Sequence, residues 1–294
     1  MENSEKTEKA KLKLPEANYK LLMILPIILI IASAGYVVWL STGPGLNLDI
    51  DLKGGAQITA DSATAPDTAA MENALKNFDA NVRSGRSLTG WTIIIEISAD
   101  VSTNEVIKTL SAAGWNLENY SVQTIVPTLG ASFFKQAQIA LIAAFIAMAI
   151  TVFIIFRIPM PSIYVVLVAA ADITTALAVS QFFGIKLSLA TFSALLLLVG
   201  YSVDTDVLLT SRVLKTPGGE IKTKIRGAMK TGLTMTGSAA VALVALYLIS
   251  SSPVITQIAS VLLIGLLADI PYTWIINAGL LRWYVERKAK KVSA

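Results

Sequence analysis

Apolar residues run along this chain in long blocks. A helix that crosses about 30 Å of hydrocarbon needs about 20 mostly apolar residues at about 1.5 Å each. Six blocks reach that length: Leu21 to Leu40, about Gln136 to Phe156, about Ser162 to Phe183, about Leu187 to Leu209, roughly Lys230 to Ile249 and about Val254 to Leu281. Short joints at Ile158 to Pro161, Gly184 to Lys186 and Ser250 to Pro253 separate later blocks, while one long polar insert divides the first from the second. The pattern predicts a six-helix polytopic membrane protein: a tail over 1–19, helix one over 20–41, an inserted domain over 42–133, helices two to six over 134–285 and a tail over 286–294.

The first block contains Ala32-Ser33-Ala34, the small-residue pattern of a signal-peptide cleavage site. Tyr36 to Leu40 extend the apolar run to spanning length and add interfacial aromatics, which favours an anchor.

Inside the insert the period changes. Leu46 to Ala60 reads as extended, broken at Gly54-Gly55; Asp67 to Val82 has Met71, Leu75, Phe78 and Val82 at helical spacing. Trp91 to Ile97 reads as a strand, Ser102 or Thr103 caps a second helix ending before Gly114, and Tyr120 to Val126 reads as the last strand. The order β-α-β-α-β predicts a small α+β domain of ferredoxin-like type.

Composition narrows the chemistry. The 294 residues are 54% hydrophobic and 15% charged, against about 45–50% and about 25% in soluble domains. With neither cysteine nor histidine, disulfides, a thiolate nucleophile, a Cys/His zinc site and an imidazole base are excluded. Proton chemistry is left to carboxylates, lysines and hydroxyls, and nothing calls for a metal or a cofactor. The net charge of +4 is too small to point to nucleic acid. Its distribution says more: 17 of the 24 Lys and Arg fall in the tails and in the loops after helices two and four, and seven on the other side. Because cytoplasmic loops hold the basic excess, both termini are expected in the cytoplasm, with residues about 42–133 outside a cell membrane.

A carboxylate at the bilayer centre costs about 2.5–3.5 kcal/mol on insertion scales, which makes each one a functional candidate. Asp172 lies ten residues into block three, about 15 Å and so near the midplane. Asp204 lies about 25 Å into block four, and Asp206 is rotated from it by about 200°, so only one of the two can face the bundle interior. Lys230 opens block five at comparable depth and is the natural partner of either. Behind it Thr231, Thr234 and Ser238 form a hydroxyl stripe that reads either as a polar path or as ordinary close packing with Gly232 and Gly237. Asp269, two residues before Pro271, reads equally as functional or as part of a kink. Asp51 with Gly54-Gly55 reads as a capped tight turn. The basic loop from Arg212 to Arg226 reads as a topology signal or as a site for anionic headgroups or a partner.

At this point the chain resembles the SecF family of protein-export membrane subunits, within the RND superfamily, in its archaeal form. The resemblance rests on the large insert after helix one, on Asp51-Leu52-Lys53-Gly54-Gly55-Ala56, on Gly200-Tyr201-Ser202-Val203-Asp204 in helix four, and on Arg212 at its exit. It implies a subunit that pairs with SecD beside the Sec translocon channel, draws on a transmembrane proton or ion gradient, and helps an unfolded preprotein move or be released outside. Carried over by position, the coupling residues would be Asp204 with Lys230. Bacterial members place the carboxylate at the position of Thr205, and an arginine at the position of Lys230. Lysine is the more readily neutralised cation. Two other readings use the same residues: an intramembrane aspartyl protease pairing Asp172 with Asp204, and an RND-type exporter of lipid or small molecules. Neither accounts for the single outside insert. A passive scaffold for SecD is a further possibility.

Overall fold

In the computed structural model, residues 19–78, 80–87, 90–250 and 252–293 are described. After a helical turn at Tyr19–Leu22, α1 spans Ile24–Thr42. A short α2 (Ile50–Lys53) leads into β1 (Gly55–Ser62), α3 (Thr68–Ala74), β2 (Asn81–Ser87), β3 (Gly90–Ile97), α4 (Thr103–Ala112) and β4 (Glu118–Ile125). Five long helical stretches follow: α5 (Pro127–Phe156), α6 (Pro159–Phe182), α7 (Leu189–Lys215), α8 (Ile221–Ile249) and α9 (Pro253–Pro271), the last passing through a π-helical turn at Tyr272–Asn277 into α10 (Ala278–Ser293).

Among the described residues, six helices are long and apolar enough to cross a membrane. Leu25, Val241 and Leu248 are each more than two-thirds exposed, as side chains are when the surrounding solvent is hydrocarbon. The helices pack through small and branched residues: Val165, Ala169, Leu195, Leu198, Val261 and Leu262 form the bundle core. Gly265 lets α9 close on Leu198, whose side chain occupies the place of a Cβ.

The insert differs from the expected order by one strand. Its sheet is antiparallel with strand order β2-β3-β1-β4. Val82, read as the end of a helix, instead pairs with Ile95. The helix over Met71 and Leu75 stops at Ala74, followed by a 3₁₀ turn at Lys76–Phe78. Met71, Leu75, Val106 and Leu110 cover one face of the sheet over Ile58, Ile93 and Ile95. The extended reading of Leu46 to Ala60 also changes. Asp49 caps α2 by accepting the Ile50 N–H at 2.7 Å, and strand geometry begins only at Gly55. Burial, then repulsion from Glu96, pushes the Asp49 carboxyl above the ordinary range.

Helix two also begins earlier than expected, at Pro127 rather than about Gln136, so one helix runs without interruption from the sheet into the bundle. Gly54 explains how its start is held. At φ 83° it turns the chain from α2 into β1, and a Cβ there would lie 2.6 Å from Pro127 Cα. A Cβ on Gly130 would in turn lie 2.7 Å from the Gly54 nitrogen. The two glycines let backbone pass against backbone. Gly54→Ala is accordingly expected to cost about 2 kcal/mol or more. Gly114→Ala, at φ 93° with open space around it, should cost only about 1 kcal/mol. Thermal unfolding of the two variants in detergent checks the ranking.

Candidate functional site

Within the bundle, α6, α7 and the α9–α10 helix meet around a polar cluster. Asp172, Asp206 and Asp269 are each fully buried. The Ser202 hydroxyl donates to Asp172 Oδ2. Asn277 Nδ2 donates to Asp206 Oδ1 at 2.7 Å. Thr273 Oγ1 stands 2.9 Å from both Asp206 Oδ1 and Asp269 Oδ1, and Thr205 Oγ1 stands 3.1 Å from Asp269 Oδ2. Asp269 also neighbours Asp172, so the three carboxylates form a chain with Asp269 in the middle. Among the described residues, none of the three makes an ion pair with a Lys or Arg.

Helix periodicity places these groups. On α7, Ser202 and Asp206 are four residues apart and share a face, with Thr205 beside them. Asp269, Thr273 and Asn277 also recur every four residues, a spacing that drifts by about 40° per step in a regular α-helix. The wider turn at Tyr272–Asn277 follows Pro271 and holds all three on one face.

Counting hydrogens shows what the cluster can do. Thr273 has one hydroxyl proton and two carboxylate acceptors, and Thr205 has one proton for Asp269 and the Ser202 carbonyl oxygen at 2.9 Å. One hydroxyl donates to one acceptor at a time. A carboxyl that carries a proton can supply the donor for a remaining contact. Asp172 Oδ1, Asp206 Oδ2 and Asn277 Oδ1 are buried without a protein partner, which leaves room for exchange of donors.

The other candidate residues lie elsewhere. Asp204, the expected coupling carboxylate, points away from the cluster and is exposed; so are Lys230, Thr234 and Ser238. The rotation of about 200° between Asp204 and Asp206 turns Asp206 inward. The expected pairing of Asp204 with Lys230 is not formed among the described residues, and neither is the Asp172–Asp204 pair that the proteolytic reading requires. Thr234 and Ser238 donate to carbonyls of their own helix at 2.9 and 2.8 Å. Gly200 and Tyr201 share the exposed face with Asp204, and Arg212 is exposed near the end of α7. Burial pushes the Asp51 carboxyl upward, and the nearby Leu189 N–H at the start of α7 opposes that shift. Gly54 serves the backbone crossing, and a Cβ on Gly55 would lie 2.6 Å from the Ile97 oxygen on β3. Thr205, Thr273 and Asn277 were not singled out from sequence, although the four-residue spacing Asp269, Thr273, Asn277 within an apolar helix is a readable signal.

A helical bundle with six candidate spans among the described residues, a buried carboxylate chain and a sheet domain between its first two long helices defines a polytopic membrane protein with polar groups sealed inside its bundle. Comparisons narrow the class. Residues 105–287 match the family described as "Protein export membrane protein SecD/SecF, C-terminal". The protein-export membrane protein SecF of Methanothermobacter thermautotrophicus is 39% identical, over 92% of this chain and 93% of its own. That of Pyrococcus furiosus is 39% identical, over 96% and 97%. SecDF, a translocon-associated membrane protein from Thermus thermophilus, shares the fold at a TM-score of 0.75 and 17% identity, covering 93% of this chain and 39% of that one. The chain belongs to the SecD/SecF family of protein-export membrane proteins.

The cluster makes a stability prediction. Thr273→Val removes the hydroxyl shared by two buried carboxylates and should cost about 1–3 kcal/mol. Thr234→Val loses only a bond to its own helix and should stay within about 0.5 kcal/mol. Unfolding in detergent micelles compares the two.

Proposed function

We propose that this chain is the SecF-type partner of SecD beside the Sec translocon channel, and that proton exchange at Asp172, Asp206 and Asp269 moves its sheet domain to help an unfolded preprotein cross or leave the membrane. One observation carries the reading: three carboxylates from three helices, wholly buried among hydroxyl and amide donors, with more acceptor contacts than hydroxyl protons. Gain or loss of a proton there changes which carboxylate each hydroxyl serves. Such a change can bias a bundle between two packings.

In this reading residues about 42–133 form a ferredoxin-like extracytoplasmic domain, six helices span the cell membrane, and both termini are cytoplasmic. The exposed Asp204, Lys230, Thr234 and Ser238 define the face for SecD. Charged groups facing hydrocarbon are expensive, and a protein surface supplies their partners. The buried carboxylates have no exposed surface, which argues against a peptide substrate reaching them for cleavage.

Asp206→Asn tests the coupling. Insertion and co-purification with SecD should be retained while preprotein export in cells falls several-fold; unchanged export would reject the proton role. Conversely, Asp204→Leu combined with Lys230→Leu should weaken co-purification with SecD while the chain still folds and inserts. Undiminished SecD recovery would place the partner surface elsewhere.

A further inference from the structure

Outside the carboxylate cluster, the most deeply buried charges in the described chain belong to a second network, at the joint between α6 and α7. Lys186 and Glu96 are only 6% and 3% exposed. Lys186 Nζ bonds Glu96 Oε2 on β3 and donates to Asn81 Oδ1 on β2 at 3.1 Å, while the other Glu96 oxygen bonds Arg83. Asp49 adds a further negative charge near Lys186. Burial alone would pull the lysine toward its neutral form, and Glu96 opposes that pull.

The same joint is fastened a second time. Leu187 N–H donates to the Asn47 oxygen at 2.7 Å and Asp49 N–H donates to the Leu187 oxygen at 2.8 Å, which makes a parallel bridge to the segment that leads into α2 and β1. Asn47 N–H also donates to Gln181 Oε1 at 2.7 Å, at the end of α6. A joint of a few residues is thus tied to the lead-in of β1 and to β2 and β3. A buried ion pair adds little stability over an apolar pair of the same size, and its best-attested use is to fix one registry. Here the registry fixed is that of the sheet on the two helices that carry Asp172, Ser202 and Asp206.

We propose that Lys186 is a positioning residue for export: through Glu96 it makes the α6–α7 joint and the sheet move as one body, so that a shift of these helices at the carboxylate cluster is delivered to the domain outside. The proposal rests on the coupling reading above for its purpose, and on the Lys186 contacts alone for its mechanics. Lys186 touches neither the buried carboxylates nor the SecD face.

The chain has no cysteine, so paired spin labels can be placed cleanly at Lys108→Cys on α4 and Phe183→Cys at the joint, both exposed positions, in the full chain co-expressed with SecD. The labelled parent should show one narrow distance. Lys186→Gln should broaden it and lower export several-fold with SecD still bound. Lys186→Arg, which keeps the charge beside Glu96, should retain both the narrow distance and most of the export. Glu96→Gln, which keeps the side-chain volume, should reproduce the defect of Lys186→Gln if the first variant folds poorly. A distance that stays narrow in both neutral variants, or export that stays normal, overturns the proposal. If the distance broadens and export falls while Asp206→Asn exports normally, the clamp stands and the proton reading fails.

Discussion

A carboxyl group inside an apolar bundle must find every hydrogen-bond partner within the protein, and the central helices are arranged around that requirement. α6 supplies Asp172; α7 supplies Ser202, Thr205 and Asp206; the stretch from Asp269 to Asn277 supplies a carboxylate, a hydroxyl and an amide. Withdrawing α7 or the stretch from Asp269 to Asn277 would strip a buried carboxylate of its donors. The apolar core around Leu195, Leu198 and Val261 sets how close the helices come, and the polar cluster sets their rotation.

The sheet is attached to this bundle by a few short elements whose chemistry differs from place to place. At Gly54 and Gly130 attachment is steric, two stretches of backbone touching where no side chain fits. At Asn47, Asp49 and Leu187 it is a pair of backbone hydrogen bonds. At Lys186 it is ionic and buried. Together they bind the sheet to the start of α5, where the chain leaves the domain, and to the α6–α7 joint, a turn of the bundle itself.

Much of this was legible in the sequence because hydrocarbon imposes a length: six apolar blocks map onto six long helices among the described residues, with starts displaced by about nine residues where helices extend into polar ground, as α5 does back to Pro127 and α8 back to Ile221. The sheet was harder. β2 reads Asn-Val-Arg-Ser-Gly-Arg-Ser, with one apolar side chain, since its pairing with β3 makes it a strand and no inner pattern announces it. The carboxylates were flagged by their cost in the membrane. Which of Asp204 and Asp206 turns inward depends on the rotation of α7, a property of packing with neighbours far away in sequence. Thr273 and Asn277 escaped notice because a hydroxyl and an amide in a membrane helix are common, and only their four-residue spacing from Asp269, held by the turn after Pro271, sets them apart.

The 30 residues of α5 give that helix a length of about 45 Å, roughly half as long again as the hydrocarbon layer. Its first turns stand beside the sheet and its last lie at the opposite end of the bundle. A helix of that length has the reach of a lever. A tilt of about 5° about its far end carries the sheet-bearing end through about 4 Å, more than the spacing of successive Cα atoms, so a rearrangement of a few hydrogen bonds deep in the bundle has enough reach to displace whatever rests against the sheet by about one residue.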